Sequence, residues 1–121
     1  DKIFYIKTGR GSNINKNIDS GYCLRKIYGS TRRHSDGPQV TFNKKNNTHS
    51  YRTLTVIISL SDFEGGNMKF PLQNITHKLT KRQIIIFPPY WTHPHMVDSP
   101  INNSYRYTIN TWISKIDENK N

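Results

Sequence analysis

Apolar and polar positions alternate over short stretches of this chain, separated by turn-forming residues, and no segment sustains the 3.6-residue period of a capped amphipathic helix. Residues 2–7, KIFYIK, form a short β-prone run. The Gly-, Asn- and Ser-rich stretch from Thr8 to Gly21 predicts an irregular loop. Tyr22 to Gly29 predicts a strand with Tyr22, Leu24 and Tyr28 on one face, and Phe42 to Ser50 predicts a second exposed polar loop. Arg52 to Leu60 is the most apolar strand and the expected sheet centre, followed by a tight turn at Gly65-Gly66. Ile75 to Leu79 and Gln83 to Phe87 give two further strands, Tyr105 to Ile113 closes the set, and Ser114 to Asn121 reads as a fraying polar tail. Seven or eight short strands in this length predict an all-β sandwich or barrel, and a jelly roll (double-stranded β-helix) fits the count.

Composition narrows this picture. The 121 residues suffice for a single domain, residues 1–121, with its core over about 22–113 and a tail over 114–121. A hydrophobic fraction of 33% favours a thin-cored β architecture over a helical bundle. No run approaches the roughly 18 apolar residues of a membrane span, and no signal-like segment opens the chain, so no membrane partner is expected. The single Cys23 excludes an intramolecular disulfide and favours a reducing, cytoplasmic location. Three Asn-x-Ser/Thr sequons, at Asn46, Asn74 and Asn102, are expected by chance in so Asn- and Ser/Thr-rich a chain.

The formal net charge of +10 admits a nucleic-acid or acidic partner, yet Lys2, Lys7, Lys16, Lys26, Lys44, Lys69 and Lys115 are scattered, as on a lysine-rich soluble surface. A basic nucleic-acid-binding barrel would interleave exposed aromatics with Lys and Arg. Here Phe70, Phe87, Trp91 and Trp112 sit in strand or Pro-turn contexts that predict core packing.

Chemistry gathers in two places. Between Phe87 and Trp112, His93 and His95 are spaced i, i+2, which on a strand puts them on one face, a natural place for a metal ligand. Earlier, RRHSDGP sets His34 and Asp36 two apart, so that an imidazole and a carboxylate project the same way from extended backbone. One distant histidine added to that pair makes a two-His, one-carboxylate facial triad, the arrangement that leaves open positions on non-haem Fe(II). Alone, a His-x-Asp is a weak motif.

Four further features, in order, strengthen it: Arg52-x-Leu54-Thr55, Phe63-Glu64-Gly65-Gly66 before Met68-Lys69-Phe70, Pro94-His95, and Arg106-Tyr107 before Trp112. Together they resemble the 2-oxoglutarate- and Fe(II)-dependent dioxygenases, most of all the prolyl 4-hydroxylase branch, over roughly Tyr22 to Ile113. The resemblance implies iron ligands His34, Asp36 and a distal histidine. In the family pattern that ligand is followed by x-Val, then a Pro, then a basic residue six positions beyond the Pro. His95-Met96-Val97, Pro100 and Arg106 satisfy this, with one extra residue at Asp98-Ser99, so His95 is the expected ligand and His93 a neighbour lining the site.

Arg106 then falls where the family binds the distal carboxylate of 2-oxoglutarate, chemistry that suits a fixed guanidinium fork. Thr108, on the same strand face, can add a hydroxyl, and Tyr28 matches loosely a tyrosine that helps hold the cosubstrate. The implied reaction uses Fe(II), 2-oxoglutarate and O2, with ascorbate as reductant, to hydroxylate a prolyl residue in a peptide or protein, beneath the loop Phe42–Ser50. Two departures stand out. Ser59 replaces a cosubstrate-binding tyrosine of the animal enzymes, and the helices that usually precede the barrel are missing, which implies a compact, phage- or virus-like member or a piece of a larger protein. Nucleic-acid demethylases of the superfamily carry a second arginine six residues after the first; Trp112 stands there and argues against them. A metal-free jelly-roll binding module is disfavoured by the intact His34, Asp36, His95 and Arg106.

Overall fold

A computed structural model describes residues 16–118, and the run at residues 2–7 lies outside them. Ten strands follow one another: β1 (Lys16–Asp19), β2 (Cys23–Ile27), β3 (Thr31–His34), β4 (Thr41–Asn43), β5 (Thr48–Ser59), β6 (Met68–Phe70), β7 (Ile75–His77), β8 (Ile84–Phe87), β9 (His95–Val97) and β10 (Arg106–Glu118). The described residues contain no helix. In the larger sheet the long strands β10 and β5 pair antiparallel. Strands β1 and β2 share the free side of β10, and β4 and β8 share that of β5. The smaller sheet runs β3-β9-β6-β7. Strands β2, β10, β5 and β8 facing β3, β9, β6 and β7 make the expected eight-stranded jelly roll.

Strand alternation divides the larger sheet into two different faces. On β5 the buried Thr55, Ile57 and Ser59 point inward, while Leu54, Val56 and Ile58 point out. The interior between the sheets is itself divided. One part is apolar, built from Ile57, Phe63, Met68, Phe70, Leu79, Phe87 and Val97, with Phe70 and Phe87 packed edge to face. The other is polar, with Thr55, Thr108, Asn110, His95 and Arg106 all buried. That division explains how so small an apolar fraction still fills a jelly roll. Phe70 and Phe87 take the core positions expected of them, but Trp91, in the turn after Pro88-Pro89, is 80% exposed and contributes nothing to the core.

Three expected boundaries are corrected. β1 occupies part of the stretch read as loop, pairing from Lys16↔Ile116 to Asp19↔Ile113. Phe42–Ser50 is not a loop but the hairpin of β4 and β5, turned by Asn43 accepting from the Lys45 and Asn46 amides and by Asn47 at φ 49°. Ser114–Glu118 continues β10. In each case backbone pairing to a neighbouring strand satisfies the ladder without burying an apolar side chain, so hydrophobic alternation carries no trace of it.

Gly65 and Gly66 do not close a hairpin. They lie in the crossing from the larger sheet to the smaller one, both at positive φ, tied by a Gly65–Pro100 bridge and a Gly66 amide donating to Ser99 O. The extra-residue segment Asp98-Ser99 is anchored here too, the Asp98 amide donating to Asn67 O. A Cβ on Gly66 would sit 2.8 Å from the Phe63 ring and 2.9 Å from Arg106 Cδ. Gly66→Ala should therefore destabilise the fold by at least about 2 kcal/mol, about 1–2 from the left-handed backbone and the remainder from overpacking. The urea midpoint measures it, and an unchanged midpoint would show that the crossing tolerates a methyl group.

Candidate active site

Three strands of the two sheets bring the chemistry together. His34 ends β3 and lies directly across from His95, the first residue of β9, with ring centroids 4.3 Å apart. Asp36 follows β3 in a segment fixed immediately after the carboxylate: the Gly37 amide donates to Pro89 O at 2.6 Å and the Arg52 amide to Pro38 O at 2.7 Å. Asp36 Oδ1 then stands 3.1 Å from His34 Nε2 and 3.4 Å from His95 Nε2. One ligand atom from each residue lies within 4.8 Å of the others, the geometry of a metal triad.

Both imidazoles are held by their far nitrogens. His34 Nδ1 bonds Arg32 O at 2.8 Å and His95 Nδ1 bonds His93 O at 3.0 Å. A carbonyl can only accept, so each Nδ1 carries the proton and each Nε2 lone pair is turned toward the shared point, the usual arrangement behind a metal-bound histidine. The second Asp36 oxygen is bound separately: Oδ2 accepts from Thr55 Oγ1 at 2.6 Å and Trp112 Nε1 at 3.2 Å. Burial works to raise the Asp36 pKa, but a hydrogen bond from His95 when that ring is protonated, those from Thr55 and Trp112, and the charge the protonated ring carries outweigh it and hold the carboxyl well below its ordinary range. The carboxylate is thus presented through Oδ1 alone.

Trp112 is the residue that sequence reasoning placed in the packed core. Its ring carries the Arg52 guanidinium 4.0 Å from its centroid. Arg52 reaches that side because β5 bulges at Thr53: Ile113 pairs with Leu54 and Ser114 with Arg52, which shifts the alternation by one residue. The signal that would have found Trp112 is the parity of β10, since Arg106, Thr108, Asn110 and Trp112 all fall on the inner face.

Those four residues, with Thr55, Ile57, Met68, Val97 and the triad, line a cavity of about 260 Å3. That is just under the range of drug-sized pockets, which begins near ~300 Å3, and suits a small organic acid. At its base Arg106 is 3% exposed, and its Nε and Nη1 are buried without a hydrogen-bond partner. Burial, and secondarily the charge of Arg25, brings its pKa down to about 10, so the guanidinium stays charged at neutral pH. Thr108 lies beside it, its hydroxyl donating to Asn110 Oδ1 at 2.9 Å.

Two expected residues are not brought here. Tyr28 follows the inward-facing Ile27 and so turns outward; it is 74% exposed, set edge-on against Tyr105 over a surface hollow shared with Lys26 and Pro100. His93 does not share a face with His95, because β9 begins only at His95 and the alternation does not extend back through Pro94. Its ring bonds Thr92 Oγ1 and lines a separate groove with Phe70 and Ile85, while its carbonyl orients His95.

Comparison with known proteins follows the same lines. The sequence profile of the 2OG-Fe(II) oxygenase superfamily matches residues 23–114. The chain belongs to this superfamily. No curated protein sequence matches it. Among solved structures, the fold is similar to that of the viral collagen prolyl hydroxylase of Paramecium bursaria Chlorella virus-1, in a truncated form, at TM-score 0.64 and 20% identity over 88% of this chain and 60% of that one. A Pseudomonas putida prolyl-4-hydroxylase gives TM-score 0.52 and 16% identity, covering 88% of this chain and 54% of that one. A Burkholderia pseudomallei oxidoreductase of the 2OG-Fe(II) oxygenase family gives 0.62 and 14%, covering 86% and 47%. The chain therefore spans about 60% or less of these structures.

Membership of the superfamily implies Fe(II) and 2-oxoglutarate, and the residues present fit both. Two Nε2 lone pairs and a carboxylate oxygen converge on one point, an arrangement that repels itself unless a cation or protons occupy it. The two orphaned guanidinium nitrogens of Arg106 are a buried cation awaiting an anion.

Proposed function

We propose that this protein is a non-haem Fe(II) dioxygenase that couples oxidative decarboxylation of 2-oxoglutarate to hydroxylation of a prolyl residue in a peptide or protein. The observation that carries this reading is the union, in one small cavity, of the His34–Asp36–His95 triad and Arg106, whose buried Nε and Nη1 have no hydrogen-bond partner. When bound, Fe(II) and 2-oxoglutarate supply the oxidising chemistry: one oxygen atom of O2 enters succinate, carbon dioxide leaves, and the other oxygen atom enters a substrate C–H bond. Ascorbate would serve as the reductant.

This chain's own residues hold and orient. His34, Asp36 and His95 would hold the iron from one side, their rings and carboxylate fixed by Arg32 O, His93 O, Thr55 and Trp112. Arg106 would take the far carboxylate of the cosubstrate by charge-assisted hydrogen bonds in a buried position, where such bonds are strongest. Ile57, Met68 and Val97 line the space between with apolar surface. The prolyl assignment is supported by the viral and Pseudomonas enzymes that share the fold. On its substrate side the triad is open at His34, whose side chain is 41% exposed, beside the exposed Arg32 and Arg33. With a net charge of +10, that setting favours an acidic peptide.

The test is to incubate the protein with Fe(II), 2-oxoglutarate, ascorbate and a library of proline-containing peptides. A peptide that gains the mass of one oxygen in step with succinate formation is the expected result. Decarboxylation with no peptide coupled to it would remove the prolyl assignment, and no 2-oxoglutarate turnover at all in iron-loaded protein would remove the oxygenase reading.

A further inference from the structure

Arg25 enters the cavity from a strand that the sequence reading used only for Tyr28. It lies on β2 directly opposite Thr108 of β10, while Ile27 lies opposite Arg106, so Arg25 is one inward-facing position further along the same face. It lines the cavity of the triad and Arg106. Its own side chain is largely exposed, which places it at the rim above the buried Arg106.

The charge at this end of the cavity is not balanced. No carboxylate among the described residues pairs with Arg25 or with Arg106. The one acid lining the cavity, Asp36, has Oδ1 turned to the two histidines and Oδ2 bonded by Thr55 and Trp112. Two guanidiniums close enough for one to depress the pKa of the other therefore face one space with no protein anion between them. Water screens Arg25 at the rim, so the repulsion is modest, and an anion entering the space between the two would meet both charges.

We propose that Arg25 is a second cation of the anion site, acting with Arg106 to make the cavity select 2-oxo acids that carry a second, distal carboxylate. The proposal rests on the oxygenase reading above and extends it to a residue that no part of that reading requires. Arg106 meets the distal carboxylate at the base; Arg25 meets it from the rim, where its charge also draws dianions toward the opening. A ligand without the distal carboxylate gains nothing from Arg25.

The experiment separates this from the oxygenase reading. Protein loaded with Mn(II), which occupies the triad without turnover, is titrated in a calorimeter with 2-oxoglutarate and with 2-oxopentanoate, its analogue lacking the distal carboxylate. Wild type, Arg25→Gln, Arg25→Lys and Arg106→Gln are compared. Arg25→Gln is expected to weaken 2-oxoglutarate about fivefold, the scale of a partly exposed ion pair, to leave 2-oxopentanoate within about twofold, and to flatten the salt dependence of 2-oxoglutarate binding. Arg25→Lys should keep most of the affinity. Arg25→Gln with unchanged 2-oxoglutarate affinity, or with equal loss for both ligands, overturns the role of Arg25 while a loss in Arg106→Gln leaves the oxygenase reading intact. If Arg106→Gln also binds 2-oxoglutarate like wild type, the anion site itself is wrong and both fall.

Discussion

Asp36→Ala is expected to abolish succinate formation and to remove the Fe(II) site, while the protein stays folded. Asp36 is the one carboxylate of the triad, and its Oδ1 is the point toward which both Nε2 atoms are turned. Without it two neutral imidazoles remain, one of them exposed, and a pair of nitrogen ligands does not hold a labile divalent ion against water. The fold should survive because Asp36 stands outside the apolar core, in a segment fixed by backbone hydrogen bonds from Gly37 and Arg52. Trp112→Phe supplies the graded comparison. It removes only the Nε1 donor from Oδ2 and leaves Thr55 in place, so metal affinity should fall about 10–100-fold, as for other residues that orient a ligand. Metal titration and a succinate assay on the two variants check this order. Unchanged succinate production by Asp36→Ala would sink the site assignment.

Arg106→Met should do two opposite things: lower 2-oxoglutarate affinity by at least about 100-fold, and leave the ligand-free protein as stable as wild type or more so. The first follows from removing a buried charge whose Nε and Nη1 have no partner but the ligand, an interaction of about 3 kcal/mol or more. The second follows from its pKa. Burial first, and the charge of Arg25 second, lower it from the ordinary arginine value to about 10, which corresponds to roughly 3 kcal/mol held against the charged form before an anion binds. The sign is that of a base with a depressed folded pKa. The penalty is complete below about pH 10 and fades as pH rises toward the ordinary arginine pKa, so at neutral pH it is fully present. Methionine keeps the stem that packs against Gly66 and Phe63 and discards the charge. Calorimetry of binding and of thermal unfolding reads both halves; wild-type affinity in Arg106→Met would refute the anion site, and a large drop in unfolding temperature would refute the stored strain.

Much of the site was legible from side chains that have few other uses. His34, Asp36, His95 and Arg106 were identified from motif order, and all four line one cavity. Thr108 followed from parity with Arg106, and carrying that parity two steps further would have reached Asn110 and Trp112. Tyr28 was placed by resemblance rather than by parity, and the strand turns it outward. Strand positions were legible where one face is buried, as in β5 and β8, and not where pairing alone makes the strand, as in β1, β4 and the end of β10.

By itself the sequence determined the β class, the short strands and the candidates for the ligating and anion-binding groups, because alternation and donor chemistry are local properties that a chain carries with it. Only the tertiary structure decided that His93 leaves the face of His95, that Trp112 and Thr55 hold the free oxygen of Asp36, and that Arg25 shares a cavity with Arg106. Each of these depends on where a strand begins, on the pairing of Thr55 with Trp112, or on the register between β2 and β10. Those are set by pairing with residues far along the chain, and a one-residue shift in any of them would send the same side chain to the opposite face.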